Sequence, residues 1–218
     1  MSGSSRGIEI VRQQEQGALS ITVGGESVSS QGQPFDVQLS KQQSYVYLAI
    51  DCSGSMNGYK LEQAKQGIVD FATDALKNGY SVGLIGFASD ARLVCEPVGN
   101  IQALLHGIKS LRIGGSTNMV KAIKMAHSNL KRLEGTRVIV MATDGMPDNS
   151  AATLKTALQA KEDGIDFIAI GTDDANQEFL GKLATKQGLA VKVSSDMFAQ
   201  AIASASSLLP SPRGIVKR

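Results

Sequence analysis

Apolar residues fall along this chain in two alternating rhythms. Residues 45–50, Tyr-Val-Tyr-Leu-Ala-Ile, run without a polar break and stop at Asp51. A short continuous run of this kind is read as a strand buried on both faces, as in a parallel sheet. Similar runs recur at 80–87, 137–142 and 165–170. Between them the period lengthens to three and four. Leu61, Ala64, Ile68, Phe71, Ala72 and Ala75 predict a helix that begins after Gly58 and ends at Asn78-Gly79. Ile101, Leu104, Leu105 and Ile108 predict another, within 100–109. Val120, Ile123, Ala126, Leu130 and Leu133 predict a helix over 119–133, ended by Gly135. Ala152, Leu154, Ala157 and Leu158 predict one ended by Gly164. Phe179, Leu180, Leu183 and Ala184 fit a short helix, and 197–209 a final one. Residues 91–94 read as a short antiparallel edge strand and 189–193 as a last short strand. The expected fold is α/β: a doubly wound, mostly parallel sheet with helices on both faces and one short antiparallel edge strand.

The first forty residues follow a different pattern. Short alternating stretches at 7–11, 18–23 and 35–39 are joined by Gly-, Ser- and Gln-rich segments. They predict a small N-terminal β extension packed on the edge of the main domain. Residues 1–7 are expected to be disordered, and Pro210-Ser211-Pro212-Arg213-Gly214 to end order. The resulting division is an extension over 1–41, a main domain over 42–206 and a flexible tail over 207–218.

The chemistry sits where the first core strand stops. Asp51, Ser53 and Ser55 place one acid and two hydroxyls in the loop leaving the strand's C-terminal end, the edge at which open α/β sheets bind ligands. All three are oxygen donors and suit a hard divalent cation, Mg²⁺ first and Mn²⁺ second; Zn²⁺ would call for His or Cys. Three residues do not fill six positions. Two further donors are Thr117, in Gly114-Gly115-Ser116-Thr117-Asn118, and Asp144, which follows the apolar run ending in Ala142-Thr143. The paired glycines are expected to free the backbone and bring the Thr117 hydroxyl into the site. Asn118 or Thr117 is expected to cap the helix that follows, and Asp148 the one after it. Asp173 and Asp174 read as a solvated turn on the same edge, and His106 and His127 as surface residues without a role. Cys52, between the ligand positions, is expected to point away from them.

Asp-x-Ser-x-Ser after an apolar strand, a later Gly-Ser-Thr loop and Thr-Asp-Gly after a second apolar strand resemble the von Willebrand factor A family over residues 42–206. None of Asp51, Ser53, Ser55, Thr117 and Asp144 departs from the family's pattern. The resemblance implies a Rossmann-like fold and a metal-ion-dependent adhesion site built from these five residues. It implies a non-enzymatic role: the metal binds a carboxylate, Asp or Glu, offered by a partner protein. In bacterial members it also implies an alternative, a scaffold subunit beside kinases, phosphatases, ATPases or stress-response proteins.

Composition narrows the field. Net charge is +2, from 22 basic and 20 acidic residues, with no basic stripe to suggest nucleic acid. No run approaches a membrane span and the N-terminus lacks the apolar core of a signal peptide, so the expectation is a cytoplasmic protein; that it is of bacterial type is what the family resemblance implies. The two cysteines, Cys52 and Cys95, read as free thiols. Mg²⁺-dependent phosphoryl transfer is the weaker reading. Phosphatases of the haloacid-dehalogenase type need an acid two residues after the first, where Ser53 stands, and no Gly-x-x-x-x-Gly-Lys loop occurs.

Overall fold

The structure is a computed structural model that describes residues 19–23, 26–30, 40–41, 43–211 and 214–215. Two compact units are distinguished, residues 1–39 with 216–218, and residues 40–215. In the first, β1 (Leu19–Val23) pairs antiparallel with β2 (Glu26–Ser30). The second of these strands lies in the Ser-rich segment that the sequence assigns to a turn. The expected strands at 7–11 and 35–39 lie outside the described residues.

The second unit begins with β3 (Ser40–Lys41) and then β4 (Ser44–Asp51), α1 (Tyr59–Lys77), β5 (Tyr80–Phe87), β6 (Ala91–Val98), α2 (Ile101–Lys109) and α3 (Met119–Leu130). It continues with β7 (Thr136–Thr143), α4 (Ser150–Glu162), β8 (Asp166–Thr172), α5 (Gln177–Leu183), β9 (Ala190–Val193), α6 (Phe198–Ser204) and β10 (Gly214–Ile215). Six strands form one sheet in the order β6-β5-β4-β7-β8-β9, parallel throughout except for β6. The fold class read from the sequence is the one observed.

Strand β4 shows why a continuous apolar run is needed at the centre. Side chains alternate across a strand, and here both faces are covered. Val46, Leu48 and Ile50 enter a core shared with α1, α2 and α6, while Tyr47 and Ala49 enter one shared with α3, α4 and α5. The phenol of Tyr47 is fully buried and donates to Glu96 Oε2 at 2.6 Å. Its ring lies over Gly83 of the neighbouring strand, its partner in register; a Cβ there would come within 2.6 Å of the ring. Gly86 gives way instead to Leu111 from a loop.

Several boundaries differ from expectation for local reasons. Strand β6 runs to Val98 rather than 94 and carries Pro97, which an edge strand tolerates. Helix α3 stops at Leu130, because residues 131–135 turn the chain and Gly135 takes a left-handed φ of 112°. The last helix is not continuous. A 3-10 turn over Ser195–Met197 precedes α6, and another over Ala205–Leu208 follows it. Ser206 and Ser207 donate to carbonyls three residues back, at 2.8 and 2.7 Å, which favours the tighter winding. Beyond it, β10 pairs antiparallel with β3. His127, expected at the surface without a role, is mostly shielded and pairs with Asp163 at 2.6 Å, joining α3 to the end of α4.

Candidate metal centre

Strand order reverses at β4. From β4 the chain moves outward to β5 and β6, then returns to lay β7 on the other side of β4. Such a switch point leaves a crevice beyond the carboxyl ends of the two central strands. Asp51 ends β4, and Asp144 directly follows β7. Two acids 93 positions apart in sequence therefore meet at one edge.

Hydrogen bonds tie them into a chain. The Asp51 carboxylate accepts from the Ser53 amide at 2.8 Å and from the Thr143 hydroxyl at 2.6 Å. The Ser53 and Ser55 hydroxyls lie 3.1 Å apart. Ser55 Oγ donates to Asp144 Oδ1 at 2.7 Å. Asp51, Ser53 and Asp144 are at most 2% exposed, whereas Ser55 is open to solvent. Burial raises the pKa of Asp51, opposed by the hydrogen bonds from Thr143 and Ser53; the nearby charge of Asp144 adds to the rise.

The loop that carries Thr117 joins through the backbone of its two glycines. Gly54 N donates to Gly115 O at 2.9 Å and Gly114 N to Cys52 O at 2.7 Å, docking the second loop on the first. The glycines are needed for room rather than for unusual dihedrals: a Cβ on Gly114 would meet that of Ala88 at 2.5 Å, and neither glycine is left-handed. Among the described residues the Thr117 hydroxyl makes no hydrogen bond to the other four. Its amide donates to Asp148 Oδ1 at 2.9 Å, and Ser116 Oγ donates to Asp148 Oδ2 at 2.7 Å. Asp148 is thus the clasp of the second loop and not a helix cap; Asn149 caps α4 by accepting from Ala152 N. Asn118 caps α3 in the same way.

One participant escaped the sequence reading. Lys60, in the first turn of α1, places Nζ 2.7 Å from Asp144 Oδ2 and 3.1 Å from Asp173 Oδ2. Burial works against its charge, but hydrogen bonds and attraction to the two acids prevail and raise its pKa. Asp173 is no simple solvated turn, since Ser195 Oγ sits 2.6 Å from both its oxygens. The only sequence signal for Lys60 was a basic residue one turn after the Ser-rich loop, where a helix dipole disfavours it.

The donors suit a hard divalent cation. Each is oxygen, two are buried acids, and no ion pair among the described residues reaches Asp51. Nor do three or more His, Cys, Asp or Glu gather among those residues, as a Zn²⁺ site would ask. Cys52 turns aside as expected: its thiol donates to Ile50 O at 3.6 Å and lies in the α1-side core.

The sequence model for the von Willebrand factor type A domain matches residues 46–205. The chain belongs to that family. Human von Willebrand factor A domain-containing protein 3B is 30% identical over 114 residues, covering 50% of this chain and 8% of that protein. The UPF0353 protein of Mycolicibacterium paratuberculosis is 29% identical over 185 residues, covering 74% of this von Willebrand factor type A chain and 53% of its own length. This chain therefore spans about half or less of these relatives. In fold it is similar to the pilus adhesin SpaC of Lactobacillus rhamnosus GG, with a TM-score of 0.68 at 18% identity, over 78% of this chain and 30% of the adhesin. Among the described residues no helix is long and apolar enough to cross a membrane.

Proposed function

We propose that this von Willebrand factor type A domain is a protein-binding module whose contact depends on a divalent cation, Mg²⁺ or Mn²⁺. Asp51, Ser53, Ser55, Thr117 and Asp144 would hold the ion, which supplies a Lewis-acidic point that attracts a carboxylate from an Asp or Glu of the partner. The observation that carries the reading is the hydrogen-bonded chain from Asp51 through Ser53 and Ser55 to Asp144 at the switch point. Thr143 fixes one Asp51 oxygen and Asp148 fixes the Thr117 backbone, so the donors are oriented before an ion arrives. Exposed Ser55 leaves the face open to a partner. The role is read as non-enzymatic, in keeping with a fold that also serves a pilus adhesin.

Calorimetric titration of MgCl₂ and MnCl₂ into wild type and Asp51→Ala tests this. Binding is expected in the wild type and lost in the variant, with the thermal melt of the variant still cooperative. Equal binding in both proteins would place the ion elsewhere. Pull-down of a partner with and without chelator then follows, with retention in chelator as the adverse result.

A further inference from the structure

The Lys60 ammonium occupies a position that the helix itself does not favour. A cation in the first turn of a helix faces the positive end of the dipole, yet Lys60 is held there by two acids, Asp144 and Asp173. Both oxygens of Asp144 are engaged, Oδ1 by the Ser55 hydroxyl and Oδ2 by Lys60. The second acid is itself fixed. Ser195 Oγ contacts both oxygens of Asp173, and Asp173 takes a left-handed φ of 45°, the one non-glycine residue to do so among those described.

We propose that Lys60 is a tethered cation that competes with the divalent ion for Asp144, with Asp173 as the seat to which the ammonium withdraws. This rests on the metal-binding reading above. A carboxylate shared with an ammonium offers less negative charge to an ion, so Lys60 lowers the site's affinity. When an ion engages Asp144, the ammonium stays within reach on Asp173. There it adds positive charge to the face that an acidic partner would approach. The same residue thus weakens ion binding and favours a carboxylate ligand.

The experiment is calorimetric titration of MgCl₂ at fixed pH and ionic strength into wild type, Lys60→Met, Lys60→Arg and Asp51→Ala. Lys60→Met removes a like charge beside the ion and is expected to tighten Mg²⁺ binding about tenfold. Lys60→Arg keeps the charge and is expected to bind within about twofold of wild type. Thermal melts without metal accompany each titration; Lys60→Met is expected to melt lower, with Mg²⁺ raising its midpoint more than that of the wild type. Should Lys60→Met fail to fold, Lys60→Gln takes its place. Wild-type binding lost in Asp51→Ala but unchanged or weaker in Lys60→Met overturns the role of Lys60 and leaves the metal site standing. Binding in Lys60→Met alone supports the competition in its strongest form. Binding in none of the proteins overturns both readings.

Discussion

At the scale of single residues, the two thiols have different access. Cys52 is 4% exposed, and burial, with the adjacent Asp51 charge, pushes its thiol up to about 11. At pH 8 a thiol with that value is about one part in a thousand thiolate, the reactive form. Cys95 is also raised by burial but lies half-buried on the edge strand β6. An aromatic disulfide reagent at pH 8 is expected to titrate one thiol in the folded protein, Cys95, and both in denaturant. Rapid native reaction at Cys52 would show that the Asp51 loop opens readily. Residues were also where the sequence was least legible. Asp51, Ser53, Ser55 and Asp144 could be picked out because each ends or follows an apolar run, and those four are brought together. Lys60 could not, and Asp148 reads from the sequence as a helix cap and not as a loop clasp, because their roles depend on which loop lies opposite, and no periodicity encodes that.

Helices and strands were more legible, since burial on two faces writes a continuous run and burial on one face writes a period. The edges were less so. The sequence of strand β2 contains no apolar run, and the serine-rich end of the last helix winds as 3-10 because its hydroxyls bond nearby carbonyls. Packing between elements leaves its own mark in glycine. Gly67 of α1 faces α6 so closely that a Cβ would lie 2.5 Å from Ala199 O and 2.8 Å from Ile202 Cβ. Gly67→Ala is therefore expected to push the helices apart and cost about 1–3 kcal/mol, seen as a lowered thermal midpoint. Gly181, within α5, has nothing near its absent Cβ. Gly181→Ala is the control and is expected to be neutral or stabilising by up to about 1 kcal/mol. Equal losses in both variants would mean that the α1–α6 contact is softer than its distances imply.

For the molecule as a whole, the sheet supplies the site and the loops tune it. Asp51 and Asp144 meet only once β4 and β7 are paired, so the donor chain, local from Asp51 to Ser55, is closed onto Asp144 only by the completed sheet. The pairing of β3 with β10 has a separate consequence. Lys41 lies opposite Gly214 and Ser40 opposite Ile215, so this unit is entered and left at one place. Geometry of this kind lets a domain be spliced into a host chain through a single loop, or have its ends joined and be reopened elsewhere. A permutant joining 40 to 215 through a short glycine linker and opening at Glu134-Gly135, just before β7, is expected to fold and to match the wild type in the Mg²⁺ titration that tests the proposed site. The unit over 40–215 can in that sense be treated as a cassette, whose connection to a larger chain is a choice independent of the edge where Asp51 and Asp144 meet.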